Sequence, residues 1–228
     1  ALLFTLEQQL GGPEVFELYL RDYLKQFAHK AIDTYEWLDH LYKYFHDKKD
    51  ILDAVNINQW LFDMGMPPVK PKYDEEMVVG CDALLKQWLD ADEEAVKHIS
   101  PDTYKDMKPL QQIEFISQLW QHDPPIEHYK LVALDKTYGL TESGNCEIVL
   151  NWIRLCVKAR YEPIVERALV FLKSQGRLKY CRPVYRDLSG WQLSAKKARE
   201  LFLATRHTMH PITAEMISKE LHLRHHTH

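Results

Sequence analysis

The chain has 228 residues, of which 46% are hydrophobic and 27% charged, enough apolar material to bury a core and too much for a disordered chain. Its formal net charge is -4 and its 29 basic residues are spread along the chain, which excludes a broad electrostatic footprint for nucleic acid. No run of about 18 uncharged apolar residues occurs, so the sequence contains no membrane-spanning helix.

The helical period dominates from the first residue. "ALLFTLEQQLGG" has no basic leader and no small-residue cleavage pattern, and Glu7 interrupts it, so it reads as a helix rather than a signal peptide. Ala1 begins in mid-pattern without a cap, and the chain is therefore expected to be part of a longer protein. Gly11-Gly12 end that helix and Pro13 suits the first turn of the next, whose apolar residues Phe16, Leu20, Tyr23, Leu24 and Phe27 predict one buried stripe and an αα-hairpin. Asp33 and Glu36 have the spacing of a capping box, followed by the stripe Leu38, Leu41, Tyr42 and Phe45. A short helix around Ile57 to Phe62 precedes "DMGMPPVKPKYD", where Gly65, Pro67, Pro68 and Pro71 disfavour helix and mark a linker over residues 64–73.

Beyond the linker the pattern resumes. Met77, Cys81, Leu84, Leu85 and Trp88 share one helix face, and Leu110, Ile113, Ile116, Leu119 and Trp120 share another on a helix starting near Pro109 and broken by Pro124-Pro125. Further helices are expected over 126–138, 146–160, 162–174, 183–188, 194–207 and 212–221, with Asn145 and Ser194 as N-caps. No segment shows the sustained alternation of a half-buried strand, so the fold class is all-α. Short connections between successive helices point to an αα-superhelix, although no sequence motif repeats.

No complete catalytic constellation is present. H-E-x-x-H, the helical zinc motif, is missing; Glu36 with His40 and His207 with His210 could each share a helix face but lack a third ligand. The tail residues His222, His225, His226 and His228 would bind metal if ordered, yet residues 224–228 are expected to be a disordered tail. Cys81, Cys146, Cys156 and Cys181 form no C-x-x-C pair, and reduced thiols in a cytoplasmic setting are expected. The tryptophans read as core, five of the six standing at helical spacing among aliphatic neighbours.

The segment "FLKSQGRLKYCRP" is different, because it places Lys173, Arg177, Lys179 and Arg182 within ten residues. Gly176 as a left-handed helix stop, with Lys173 and Arg177 complementing the dipole of the helix it ends, accounts for two of the cations. It does not account for Lys179 or Arg182. If "RLKY" is extended, Arg177 and Lys179 face one side about 6.5–7 Å apart, with Leu178 and Tyr180 facing inward, and the two cations can straddle a carboxylate. Solvated helix-end charge and anion site both remain open on the pattern alone.

"LEQQLGGPEVF", "WLFDMGMPPVKPKYD", "NWIRLC", "SQGRLKYCRPVYRDL" and "MHPITA" occur in order, and together they resemble the C-terminal portion of the leukotriene A4 hydrolase family, zinc aminopeptidases of the gluzincin class. The resemblance implies that residues 1–63 are the C-terminal helical lobe of a thermolysin-like catalytic domain, 64–73 the Pro-rich linker and 74–223 an αα-superhelical domain. It implies zinc in the intact enzyme, with ligands and catalytic base upstream and none in this chain, so that the chain alone is inactive. It assigns Arg177 and Lys179 to the carboxylate of small peptides or of a fatty-acid epoxide, and implies packing on the upstream catalytic domain. A stand-alone interaction module and an arginine-selective aminopeptidase are the alternatives.

Overall fold

A computed structural model describes residues 1–223; the tail 224–228, with His225, His226 and His228, lies outside the described residues. Among the described residues the regular structure is entirely helical, and no helix is long and apolar enough to cross a membrane. The chain divides into two compact units, Ala1–Asp74 and a second beginning at Glu75.

In the first unit, α1 (Leu2–Leu10) and α2 (Pro13–Gln26) form the hairpin. Gly11 and Gly12 turn the chain at φ 124° and 92°, values that a side chain would strain, and Pro13 supplies a first residue that needs no donor. α3 (Thr34–Tyr44) starts at the expected capping box: the Tyr35 and Glu36 N–H groups donate to Asp33 Oδ1 at 2.9 Å, and the Asp33 N–H donates to Glu36 Oε2 at 3.0 Å. α4 (Lys49–Val55), which the sequence pattern did not reveal, and α5 (Ile57–Phe62) complete the unit. Residues 63–75 have no helix, and part of that segment lies on α1, where Tyr73 stacks on Phe4 at 5.1 Å and Gln8 donates to the Lys72 carbonyl at 3.2 Å.

The core here is Leu6, Leu10, Phe16, Tyr19, Leu41 and Phe45. The expected stripe on α2 is rotated: Leu20 is exposed and Leu24 is 67% exposed, whereas Tyr19 is fully buried with Tyr23 packed beside it. The Tyr19 ring lies 5.3–5.4 Å from those of Phe16, His40, Tyr44 and Phe45. An aromatic body buries more apolar area than leucine, so the ring cluster sets the helix rotation.

The second unit contains α6 (Glu76–Asp90), α7 (Asp102–Asp106), α8 (Pro109–Gln121), α9 (His128–Tyr138), α10 (Cys146–Lys158), α11 (Ile164–Ser174), α12 (Leu178–Ser189), α13 (Gln192–Thr205) and α14 (Pro211–Glu220). Helices α6, α8, α10, α12 and α14 pack successively side by side as one layer, and α11 packs on α13 in the other. This alternation is the αα-superhelical arrangement expected from the short connections.

α10 lies at the centre of that stack. Ile148, Val149, Leu150, Trp152, Ile153, Leu155, Cys156 and Val157 are all buried, so the helix is apolar over more than half its circumference and keeps one polar stripe, Glu147, Asn151, Arg154 and Lys158. Asn145 caps it as expected, accepting from the Glu147 N–H at 2.9 Å. Ser194 is not a cap: α13 begins two residues earlier, and the fully buried Ser194 hydroxyl donates to the Leu188 carbonyl at 2.7 Å. Of the tryptophans only Trp88 and Trp152 are fully buried, their indole N–H groups donating to Tyr138 Oη at 2.8 Å and Thr141 Oγ1 at 3.0 Å.

Phe115 is fully buried and packs edge-on against the stacked rings of Tyr104 and Tyr138, at 5.8 and 6.2 Å. Phe115→Ala is expected to destabilise the second unit by about 3–5 kcal/mol, whereas Asp33→Ala, which removes only the cap, costs about 1 kcal/mol. Urea-denaturation midpoints of the two variants test this ranking.

Candidate anion-binding site

Arg177 and Lys179 lie together at the start of α12, but not in the extended form that the sequence allowed. α12 begins at Leu178, five residues before the expected start at Pro183, which is accommodated inside the helix. Arg177 is the N-cap residue, with φ -81° and ψ 131°, and Lys179 is already in the first turn. Gly176 is not the left-handed stop: its φ is not positive, and α11 ends at Gln175 in extended geometry. Tyr180 is buried and Arg177 and Lys179 are exposed, as expected, while Leu178 is only half-buried.

Two interactions set the local electrostatics. Lys179 Nζ donates to Glu147 Oε1 in a short ion pair, and the Tyr180 hydroxyl donates to the same oxygen at 2.9 Å. Glu147 belongs to the first turn of α10, so this contact ties the N-terminal ends of α10 and α12. The Lys179 hydrogen bond holds the Glu147 carboxyl below its ordinary value of 4.5, with the Tyr180 bond and the nearby Arg177 charge acting the same way against partial burial. The bond to Glu147 conversely raises the Tyr180 phenol above its ordinary range.

Arg177 is placed differently. Its guanidinium lies over the Tyr180 ring, 5.6 Å from the centroid, and makes no hydrogen bond to another described residue. The first turn of α12 has no side-chain cap, so its leading N–H groups and the positive end of the helix dipole add to the same edge. An anion arriving here meets an uncommitted planar fork and a lysine already engaged by a carboxylate. The fork is therefore the stronger contact.

Several of the other singled-out residues have structural partners. Glu36 serves the capping box, a His40 ring nitrogen lies 3.0 Å from Asp22 Oδ2, and His210 Nδ1 accepts from the Ile212 N–H at 3.2 Å. Arg182, unassigned by pattern, pairs with Glu220 Oε1 at 2.7 Å and ties α12 to α14. The four cysteines are unpaired, and burial pushes the Cys181 thiol up to about 11. Among the described residues no three His, Cys, Asp or Glu side chains are placed to hold a metal ion. Glu147 is the contributor that sequence reading missed; it stands 32 residues from Lys179, and nothing local signals the pairing.

Fold and site together define an all-helical αα-superhelical domain with a cationic edge. Residues 107–221 match the family profile described as leukotriene A4 hydrolase, C-terminal. A leukotriene A-4 hydrolase from Xenopus laevis is 41% identical over 224 residues, 98% of this chain and 36% of the relative. Leucine aminopeptidase 2-2 from Scheffersomyces stipitis is 33% identical over 97% of the chain and 36% of its own length. The solved structure of yeast LTA4 hydrolase in complex with bestatin superposes with TM-score 0.85 and 29% identity, covering 97% of this chain and 38% of that one. The chain belongs to the leukotriene A4 hydrolase family, and it spans a little over a third of the length of the relatives it matches. These relatives do not favour the reading as a stand-alone interaction module.

Because its carboxyl is depressed in the folded state, Glu147 contributes stability that is present above the unfolded glutamate value and lost as pH falls through the lower folded value. The difference in thermal midpoint between wild type and Glu147→Gln is therefore expected to be largest near neutral pH and to close as the pH is lowered below 4.5. A difference that stays constant through the acid range would contradict the ion pair.

Proposed function

We propose that this chain is the C-terminal part of a bifunctional zinc aminopeptidase and epoxide hydrolase, working in a cytoplasmic setting, and that it supplies the basic clamp for the substrate carboxylate. The observation that carries the reading is the uncommitted Arg177 guanidinium, laid on Tyr180 at the uncapped start of α12. In this reading Arg177 takes the free carboxylate of a small peptide, or of a fatty-acid epoxide, in bidentate fashion. Lys179 adds a point charge that Glu147 partly neutralises. Holding the far end of the substrate fixes where its reacting bond lies, which converts binding energy into orientation.

The described residues offer no ligand set for zinc, so metal and catalytic base belong upstream in this reading, and no chemical step is assigned to this chain. Leu3, Leu18 and Leu24 of the first unit are largely exposed, which supports packing of an upstream catalytic domain against that unit. Peptide hydrolysis is supported by the relatives named leucine aminopeptidases, and epoxide hydrolysis by the relative named leukotriene A-4 hydrolase. No broad basic surface supports a nucleic-acid partner.

In the full-length protein, Arg177→Ala is expected to lower kcat/KM for a tripeptide by about 10²-fold or more, to abolish epoxide conversion, and to exceed the effect of Lys179→Ala. Parallel assays on the same peptide with an amidated C-terminus discriminate: an equal fall there would show that Arg177 does not act through the carboxylate. The isolated chain, freed of residues 224–228, is expected to show neither hydrolysis nor stoichiometric zinc by metal analysis.

A further inference from the structure

A cationic concavity lies at the end of α10 and α12 opposite to Arg177. It has a volume of about 400 Å³ and is lined by Arg154, Lys158, Arg160 and Arg186 around a single carboxylate, Asp187. Such a volume falls in the lower part of the range of small-molecule sites, about 300–1,000 Å³. Four cations against one carboxylate leave a surplus of three positive charges in one cleft.

Part of this set is explained by the fold. Lys158 Nζ donates to the carbonyls of Trp120 and His122, both at 2.7 Å, and so closes the C-terminal end of α8. Arg154 Nε donates to Asp187 Oδ2 at 2.7 Å, pinning α10 to α12, and its guanidinium lies over the Trp120 ring at 4.3 Å. Arg160 is explained only in part, by one contact at the end of α12, and Arg186 not at all. Arg160 has φ 57°, a left-handed conformation uncommon for arginine, and its guanidinium lies over Trp191 at 5.6 Å with one bond to the Gly190 carbonyl at 3.1 Å. Arg186 is half exposed, 3.7 Å from Asp187 Oδ1 and without a hydrogen bond from its guanidinium.

The geometry points to a binding site for a dianionic phosphate group of a small soluble molecule. The guanidiniums of Arg154 and Arg160 are held over indole rings, and that of Arg154 is also tethered to Asp187, which limits the side-chain freedom a ligand would have to suppress. Only one Nε and one Nη donor of the three forks are committed to protein oxygens, and planar forks match phosphate oxygens in pairs. A surplus of three charges suits a dianion better than a single carboxylate. The indole faces are already covered by the arginines, so recognition rests on charge rather than on stacking.

The test is titration of the full-length protein with inorganic phosphate, by calorimetry and by thermal midpoint, against sodium chloride at matched ionic strength. One phosphate is expected to bind, raising the midpoint where chloride does not. Arg160→Gln combined with Arg186→Gln, both at exposed positions, is expected to weaken binding by about tenfold or more, with Arg186→Lys alone retaining most of it and peptide hydrolysis unchanged throughout. Equal response to chloride, unaltered phosphate binding in the double variant, or association only with phosphatidic acid vesicles would each overturn the assignment.

Discussion

The constraint on which the second unit depends is the burial of α10 over more than half its circumference. A helix with Ile148, Val149, Trp152, Ile153, Leu155 and Cys156 all enclosed cannot lie on a surface, so α8, α11 and α12 must surround it. The ground it leaves open is one polar stripe, Glu147, Asn151, Arg154 and Lys158, running along the helix. Glu147 stands in the first turn, and Arg154, Lys158 and Arg160 run from its second half to just past its last turn.

α12 follows the same course. Glu147 meets Lys179 near the starts of the two helices, and Arg154 meets Asp187 further along, so α10 and α12 run parallel with α11 returning between them. The two ion pairs fix the register of one helix on the other. The cationic edge at Arg177 and the cleft at Arg186 are in this sense two ends of one seam, separated by about 12 Å of helical rise from Lys179 to Asp187.

Much of this architecture was legible in the sequence, because its signals are local. The capping box at Asp33 and Glu36, the Asn145 cap and the Pro109 start are contacts within one turn, and they appear where the spelling places them. The misread features need distant information. Leu20 and Leu24 fit a helical stripe with Phe16 and Tyr23 as well as Tyr19 does, and only the rings at the end of α3 decide for Tyr19. Pro183 read as a helix start because proline favours that position, yet α12 begins at Leu178 and accepts the missing donor one turn further in. For the candidate site, the pair Arg177 and Lys179 was visible as a charge cluster, while Glu147, which divides their roles, became visible only once two helices were side by side.

The parallel pairing of α10 and α12 also limits how this part of the chain can change length. Removing or adding one residue between Lys179 and Asp187 would rotate everything beyond it by about 100°. Either Glu147 or Arg154 would then lose its partner, and Leu188 and Val184 could not both stay buried. The loops between helices can absorb insertions without such a penalty. Over this stretch the number of residues is therefore under tighter constraint than their identity, and diversification by insertion or deletion is directed into the connections.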